Sequence, residues 1–302
     1  MMEIRKTAIV GMGALGMLYG TFLLDKGEDV VYVMDKDRYI KYKDELFYKN
    51  GKEYKLPMAG EDEAEAADLV IVSVKYTGLK GALDVMKNCV GRQTIILSVL
   101  NGITSEEILS ECFGEEHLIY TVAQGMDAMK FGNQFSFTAM GELRFGARLE
   151  CQKENVADVK AFFDRIGMPY TIDEDIMRRL WGKFMLNVGV NQACMVYETT
   201  YGGCLKKGEP NRTMIAAMRE VIALAREEGI DIGEKDLNEY IDILGTLSPE
   251  GMPSMRQDGL NRKKSEVDVF SGAVMELAKK HGIYVPANEF LNERVHEMES
   301  LY

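Results

Sequence analysis

The 302-residue sequence contains few cysteines, and they form no recognisable pattern. There are five, an odd number, and none belongs to a C-x-x-C pair: Cys89, Cys112, Cys151, Cys194 and Cys204. This spacing argues against a disulfide framework and against a zinc site, and it is typical of reduced thiols in the cytoplasm. Only three histidines are present. We therefore expect no metal site.

Long apolar runs and an excess of positive charge are also missing. No run reaches the ~18 residues that a membrane helix needs, and the N-terminal stretch lacks the apolar region of a signal peptide. Lysine and arginine number 36 against 48 acidic residues, which gives a net charge of -12. A field of that sign repels nucleic-acid phosphates and anionic lipids. We expect a cytoplasmic monomer or homodimer that binds a small molecule, with no nucleic-acid or membrane partner.

The first part of the chain alternates between strand and helix patterns. Hydrophobic residues make up 46% of the chain, and the length predicts two domains. Thr7–Val10, Asp29–Met34, Leu69–Val74 and Thr94–Leu100 are predicted strands, and the last two are continuous apolar runs typical of a parallel sheet. A hairpin is predicted around Asn50-Gly51, and 131–145 is predicted to add antiparallel strands. This order indicates a doubly wound α/β domain over residues 1–172.

Strand patterns end near residue 172, and amphipathic helical patterns follow. The sequence predicts an all-α second domain over residues 173–302. Its main helices are predicted at Ile176–Val196, Asn211–Glu228, Glu234–Leu244 and Lys263–Lys280.

A glycine-rich motif, G-x-G-x-x-G, follows the first predicted strand. It spans residues 11–16, and its members are Gly11, Met12, Gly13, Ala14, Leu15 and Gly16. Glycines at these positions permit a tight turn, a close approach to a pyrophosphate and close packing of helix on strand, while the helix N-terminus attracts phosphate. The motif is therefore interpreted as the dinucleotide loop of a Rossmann-type sheet. The alternative is a purely structural strand–helix turn.

Asp35 ends the second predicted strand. A carboxylate there hydrogen-bonds the adenosine ribose and repels a 2′-phosphate, which favours NADH over NADPH. The alternatives are a solvated surface acid, or a phosphate held by the neighbouring Lys36 and Arg38.

A predicted helix carries a polar strip within an apolar segment. Lys183, Asn187 and Asn191 recur every four residues, so they lie on one helix face. The strip is either a solvated face or a row of donors in a cleft between the domains. A lysine partly removed from water there has a lowered pKa and can act as a general acid.

Several motifs together resemble the ketopantoate reductase (2-dehydropantoate 2-reductase) family, from the first strand nearly to the end. They are Gly-x-Gly-Ala-Leu-Gly at 11–16, Val74-Lys75, Asn101-Gly102-Ile103, Trp181-x-Lys183 with Asn187 and Asn191, Ser254-x-x-Gln257-Asp258, and Glu266-x-Asp268.

The resemblance implies a role for each matching position. Lys183 matches the proton donor to the substrate carbonyl, and Glu266 matches a glutamate that contacts this lysine and the substrate hydroxyl. Asn187, Asn191 and Ser254 match residues that hydrogen-bond the substrate. Asn101 and Lys75 match positions on the cofactor side, and Asn101 is also a candidate substrate ligand. For Ser254, an alternative is a helix cap that forms a capping box with Gln257.

The implied activity is the reduction of 2-dehydropantoate to (R)-pantoate with NAD(P)H, a step of pantothenate and coenzyme A biosynthesis. This chain departs from the family at two positions. It has Asp35 where most members have an arginine that binds the 2′-phosphate of NADPH, and it has Leu100 where glutamine is common. An alternative is therefore an NAD-dependent D-2-hydroxyacid dehydrogenase of the D-mandelate type, acting on other branched 2-oxo acids. A third is a non-catalytic dinucleotide sensor, which would not need Lys183 and Glu266.

Overall fold

A computed structural model of the protein describes residues 2–302. These residues form two compact units. The first contains the chain up to Leu100 together with Ser105–Ile176, and the second contains Asn101–Thr104 together with Met177–Tyr302. The predicted boundary between residues 172 and 173 falls within the first unit, four residues before its end. The sequence pattern gave no sign that residues 101–104 group with the second unit.

The first unit consists of strands covered by helices. Its strands are β1 Lys6–Val10, β2 Asp29–Met34, β3 Phe47–Lys49, β4 Lys52–Tyr54, β5 Met58–Gly60, β6 Ala67–Val72, β7 Val90–Ser98, β8 Leu118–Met126, β9 Met129–Phe131, β10 Gln134–Ser136, β11 Met140–Gly146 and β12 Tyr170–Ile172. Its helices are α1 Ala14–Asp25, α2 Lys36–Tyr42, α3 Leu79–Met86, α4 Ser105–Phe113 and α5 Lys153–Ile166.

Eight strands form the main sheet in the order β12-β11-β8-β7-β6-β1-β2-β5. The neighbours from β5 to β8 are parallel, and β11 joins β8 in antiparallel orientation. From β1 the chain moves first toward β2 and β5, and then returns to β6 on the other side of β1. The carboxyl end of β1 is therefore the point where the strand order reverses, which is where open α/β sheets bind their ligands.

Alternating strand residues build a core on each face of this sheet. Ile9 packs on one face with Leu18 of α1 and Phe163 of α5. Val10 packs on the other face with Met86 of α3. Full burial of each such side chain stabilises the fold by about 1.5–3 kcal/mol. Because both faces are covered, the buried strands are continuous apolar runs, and the predicted doubly wound α/β fold is confirmed.

A second, four-stranded sheet has the order β4-β3-β10-β9. The predicted hairpin around Asn50-Gly51 is its β3–β4 pair, and both turn residues have positive φ, 49° and 82°. The predicted antiparallel addition from 131–145 is therefore divided between two sheets. β11 extends the main sheet, whereas β10 pairs with β3 in the small one.

The second unit is helical. Its helices are α6 Ile176–Val196, whose first residue belongs to the first unit, α7 Tyr201–Leu205, α8 Glu209–Glu227, α9 Glu234–Thr246, α10 Ser254–Leu260, α11 Ser271–His281 and α12 Pro286–Glu299. The prediction for α6 matches the observed bounds. Phe184, Met185 and Val188 of α6 are buried, while Lys183 and Asn187 are only partly covered.

The predicted helix Lys263–Lys280 is wrong over its first eight residues. Residues 263–266 precede a 3-10 helix, Val267–Val269, and α11 begins only at Ser271. The buried residues here are Val267, Val269 and Phe270, a spacing that does not fit one face of an α-helix. Burial of all three favours the tighter turn, and Glu266 consequently lies at the start of the 3-10 helix.

Candidate active site

The glycine motif forms the turn between β1 and α1. Gly11 has φ +110°, and a Cβ there would lie 2.7 Å from the Ser73 carbonyl carbon. A Cβ on Gly16 would lie 2.0 Å from the Gly11 carbonyl oxygen. The Ser73 hydroxyl donates a hydrogen bond to that same oxygen at 3.0 Å. The turn therefore depends on glycine at both positions, and Ser73 is a supporting residue that the motif alone did not reveal.

The first turn of α1 offers backbone groups to an anion. Gly13 occupies the N-cap position, no side chain caps the helix, and its first turn, which includes Ala14 and Leu15, contains no acidic residue. Uncapped N–H groups and the positive end of the helix dipole favour a phosphate at such a position. The geometry fits the pyrophosphate of a dinucleotide.

Tyr32 of β2 supports this helix from the sheet. Its hydroxyl donates to the Gly16 carbonyl oxygen at 3.2 Å. Burial raises the pKa of Tyr32, so the phenol stays neutral and remains a donor.

Asp35 and Lys75 lie at the same end of the main sheet as the glycine turn. The register pairs Val10 at the end of β1 with both Val33 of β2 and Val72 of β6. Asp35 follows β2 directly, and Lys75 is an exposed residue three positions after β6. The structure therefore brings the predicted cofactor residues of this unit to one sheet edge.

The Asp35 carboxylate also caps α2. It accepts a hydrogen bond from the Arg38 backbone N–H at 2.9 Å, and its second oxygen lies 3.3 Å from Arg38 Nε. The side chain is still 42% exposed. Asp35 therefore caps α2 and also keeps an exposed carboxylate surface.

In the second unit, Lys183, Asn101 and Glu266 form a hydrogen-bonded chain. Lys183 Nζ donates to Asn101 Oδ1 at 3.1 Å, and Asn101 Nδ2 donates to Glu266 Oε2 at 3.1 Å. All three side chains are partly buried. One amide therefore holds the ammonium group on one side and the carboxylate on the other.

Close packing places Asn101 beside Glu266. Gly102 has φ +95°, and a Cβ there would lie 2.4 Å from Val269 Cγ1. Val269 closes the 3-10 turn by donating its N–H to the Glu266 carbonyl oxygen at 3.0 Å. Gly102 and Val269 thus help to position Asn101 beside Glu266. In the sequence, only the glycine directly after Asn101 indicated a close approach of this kind.

A second chain joins Ser254, Asn191 and Asn187. Ser254 Oγ donates to Asn191 Oδ1 at 3.2 Å, and Asn191 Nδ2 donates to Asn187 Oδ1 at 3.3 Å. Because α6 rises about 1.5 Å per residue, Lys183, Asn187 and Asn191 follow one another at intervals of about 6 Å. The predicted polar strip therefore contacts both Asn101 and Ser254.

The capping-box interpretation of Ser254 is wrong. The N-cap position of α10 is Pro253, Ser254 is the first helical residue, and the helix has no side-chain cap. Gln257 donates instead to the Met252 carbonyl oxygen at 3.0 Å. The Ser254 hydroxyl is directed to Asn191 because it is not needed for the backbone of α10.

Among residues 2–302, no group of three or more His, Cys, Asp or Glu side chains could hold a metal ion. Within the same residues, no helix combines the length and apolar character required to cross a bilayer. The cytoplasmic location and the choice between monomer and homodimer stay predictions.

Two family models match the chain in succession. The model described as ketopantoate reductase PanE/ApbA matches residues 7–150, and the C-terminal model of the same name matches residues 175–299. Among curated relatives, the 2-dehydropantoate 2-reductase of Streptococcus pyogenes serotype M1 is 24% identical over 299 residues, 97% of each chain. That of Pyrococcus horikoshii is 27% identical over 300 residues, 98% of each chain.

Solved structures share the fold at similar identity. A D-mandelate dehydrogenase, in a ternary structure with NADH and anilino(oxo)acetate, superposes with a TM-score of 0.85 at 24% identity, covering 98% of both chains. A PanE/ApbA family ketopantoate reductase from Ralstonia eutropha has a TM-score of 0.82, again at 24% identity and 98% coverage of both chains.

Proposed function

The chain belongs to the ketopantoate reductase family, and on that premise we propose that it reduces 2-dehydropantoate to (R)-pantoate with NAD(P)H. This would make it an oxidoreductase of pantothenate and coenzyme A biosynthesis. The observation that carries the proposal is the Lys183–Asn101–Glu266 chain. It presents an ammonium donor on the amide that also binds a carboxylate, and the reduction of a carbonyl needs such a donor for the nascent alkoxide.

The glycine turn and Asp35 are the proposed cofactor-binding residues. Backbone N–H groups at Gly13 and along the first turn of α1 would hold the pyrophosphate, and Asp35 would accept a hydrogen bond from the adenosine ribose. Lys75 is a proposed further contact. When bound, the reduced nicotinamide supplies the hydride that converts the 2-oxo carbon into an alcohol carbon. A preference for NADH follows from the charge of Asp35.

Lys183 is the proposed general acid. Its ammonium group donates a proton to the carbonyl oxygen as hydride reaches the adjacent carbon, which gives the 2-hydroxy acid. Asn101 directs the ammonium group through its Oδ1 atom, and the Glu266 carboxylate anchors the opposite side of the same amide. A preorganised donor of this kind requires little reorganisation during the reaction.

Asn187, Asn191 and Ser254 are the proposed substrate-binding residues. Asn191 is only 5% exposed, so its amide has a fixed orientation set by Ser254 and by Asn187. Fixed amide and hydroxyl groups can orient the carboxylate and hydroxyl oxygens of a 2-oxo acid while the carbon skeleton meets apolar residues.

Substitution of Glu266 by alanine is expected to weaken substrate binding and to slow turnover together.

The test is a spectrophotometric assay of 2-dehydropantoate and related 2-oxo acids with NADH and with NADPH. We expect oxidation of the reduced cofactor to depend on 2-dehydropantoate, with the highest kcat/KM for that substrate. If both cofactors bind but no 2-oxo acid causes their oxidation, the chain is a dinucleotide sensor and the proposal is wrong.

The second candidate is a D-2-hydroxyacid dehydrogenase of the D-mandelate type. Asp35 favours it, because an acid at the end of β2 suits NADH. Phenylglyoxylate, the 2-oxo acid that corresponds to mandelate, discriminates between the two functions. A higher kcat/KM for phenylglyoxylate than for 2-dehydropantoate would establish the second candidate.

A further inference from the structure

Two buried cysteines lie side by side in the second unit. Cys194 near the end of α6 and Cys204 of α7 have their Sγ atoms 3.4 Å apart, and both side chains are 0% exposed. Nine residues separate them in the sequence, so no C-x-x-C pattern reveals the pair. The proposed catalytic chemistry makes no use of either thiol.

The backbone on both sides fixes the pair in place. Thr199 donates its N–H to the Cys194 carbonyl oxygen at 2.9 Å, and Cys204 donates its N–H to the Thr200 carbonyl oxygen at 3.0 Å. Asn211 Nδ2 donates to the Cys204 carbonyl oxygen at 2.8 Å. Because a disulfide has an S–S distance of about 2.05 Å, the sulfur atoms need to approach by only about 1.4 Å.

The two thiols differ in their tendency to ionise. The hydrogen bond with Cys194 lowers the pKa of Cys204, although burial opposes this effect. The same hydrogen bond and burial raise the pKa of Cys194. In such a pair one thiol is therefore ionised more readily, while the other keeps its proton. A thiolate beside a protonated thiol is the arrangement that stepwise oxidation to a disulfide requires.

Both cysteines belong to elements that hold the Ser254–Asn191 contact. Asn191 lies on α6, one turn before Cys194. The loop that precedes Ser254 is bound to the start of α7, since Tyr201 donates its N–H to the Gly251 carbonyl oxygen at 3.0 Å, and the next backbone N–H donates to the Pro249 carbonyl oxygen at 2.8 Å. A movement of α7 toward α6 would therefore be transmitted to Ser254.

We propose that Cys194 and Cys204 are a redox-active dithiol, which closes to a disulfide on reaction with a hydroperoxide and thereby loosens the Ser254–Asn191 contact. The thiolate of one cysteine attacks the peroxide O–O bond and displaces hydroxide, forming a sulfenic acid. The sulfur of the other cysteine then displaces the sulfenic oxygen as water and forms the S–S bond. With hydrogen peroxide, two thiols lose two electrons and two protons in total, and the peroxide is reduced to two waters. A dithiol reductant reduces the disulfide back to two thiols by thiol–disulfide exchange.

The disulfide itself is tested in a Cys112→Ser/Cys151→Ser variant, which lacks the two exposed thiols and keeps Cys89, Cys194 and Cys204. The folded variant is treated with hydrogen peroxide, denatured, alkylated with N-ethylmaleimide and analysed by intact mass spectrometry and peptide mapping. We expect one alkylated thiol, a Cys194–Cys204 cross-linked peptide, and recovery of all three thiols after dithiothreitol.

Cys89 is the internal control. It is equally buried at 0% exposure, its Sγ lies 3.8 Å from the Val85 carbonyl oxygen, and burial raises its pKa to about 11. It should remain a thiol throughout the treatment. Alkylation of all three cysteines after peroxide, or oxidation of Cys89 as fast as the pair, would overturn the proposal.

The proposed effect of the disulfide on the Ser254–Asn191 contact rests on the proposed function, and it is tested by a separate kinetic measurement. In the cross-linked enzyme we expect the KM for 2-dehydropantoate to rise at least threefold while the KM for the reduced cofactor is unchanged. Cys204→Ser should keep the basal KM values and abolish the response to peroxide. An unchanged substrate KM in fully cross-linked enzyme would refute the coupling. If the untreated enzyme reduces no 2-oxo acid, the proposed function fails, while the mass measurement still decides the disulfide.

Discussion

The two units build their candidate sites from different parts of the polypeptide. In the first unit, the turn between β1 and α1 consists of backbone groups, and the space around Gly11 and Gly16 has no room for a Cβ atom. In the second unit, the polar strip of α6 consists of side chains that hydrogen-bond to Asn101 and Ser254. We therefore expect the first site to be disrupted by substitutions that add a side chain to a glycine. The second site should be disrupted by substitutions that remove a polar side-chain group.

This difference also separates the properties that each unit is expected to control. A cradle of N–H groups recognises the phosphates that dinucleotides share, so it controls cofactor affinity. Directed side chains act on the reacting carbonyl, so they control turnover and substrate affinity. Substitutions in the first unit should therefore change cofactor affinity, and those in the second should change turnover or substrate affinity. The following four predictions test this separation.

The largest effect is expected for Lys183→Ala. Removal of a general acid lowers kcat by about 10²–10⁴-fold, while the affinity for the reduced cofactor, measured by fluorescence titration, should be unchanged. Lys279→Ala on α11 removes an exposed lysine of the same unit and is the matched control. Near-normal turnover of Lys183→Ala would eliminate the assigned role.

The next largest effect is expected for Gly16→Ala. Overpacking against backbone costs about 1–3 kcal/mol, so we expect the dissociation constant for the reduced cofactor to rise by about 10-fold or more. The control is Gly81→Ala in α3, where a Cβ has no atom within 4 Å. That change should leave cofactor affinity intact and stabilise the protein by up to about 1 kcal/mol. Equal cofactor affinity in the two variants would contradict a backbone cradle.

A smaller effect is expected for Asp35→Asn. Asparagine can still cap α2, but it no longer repels a 2′-phosphate, and the Arg38 guanidinium that now pairs with Asp35 becomes available to that phosphate. We expect the ratio of kcat/KM for NADPH to that for NADH to rise about 10-fold, an electrostatic change of about 1.4 kcal/mol. Asp37→Asn, in the first turn of α2, is the control. The same ratio in wild type and in Asp35→Asn would rule out the charge as the selector.

The smallest of the four effects is expected for Ser254→Ala. Loss of one neutral hydrogen bond costs about 0.5–1.5 kcal/mol, which corresponds to a rise of about 2- to 10-fold in the substrate KM. The KM for the reduced cofactor should not change. Since Ser254 does not cap α10, the stability cost is limited to its hydrogen bond with Asn191, and the melting temperature should fall by no more than a few degrees. A large loss of stability with normal KM would show that the hydroxyl has a structural role only.

Sequence reasoning was most successful where the signal is local. β2 has the predicted bounds Asp29–Met34, and α6 has the predicted bounds Ile176–Val196, because a β-branched run and an amphipathic repeat are each contained within one segment. The glycine motif likewise identified its own turn. The supporting contact from Ser73 joins positions about 60 residues apart, and no local pattern reports it.

The arrangement of the catalytic chain was harder to predict. The residue types Lys183, Asn101 and Glu266 were expected from the resemblance, with the glutamate placed against the lysine. The structure shows Asn101 linking the two, a detail that depends on the close packing of Gly102 on Val269. Spacing along a sequence shows which residues share a helix face, but the order of donors and acceptors depends on contacts between distant segments.

The central claim is that Asn101 directs the Lys183 ammonium group within the hydrogen-bonded chain that ends at Glu266. The most direct measurement is a double-mutant cycle on kcat with Lys183→Ala, Asn101→Ala and the double variant. If Asn101 acts by directing the Lys183 ammonium group, the double variant should be hardly slower than Lys183→Ala alone, with a coupling energy of about 1 kcal/mol or more. Losses that simply add would contradict the account.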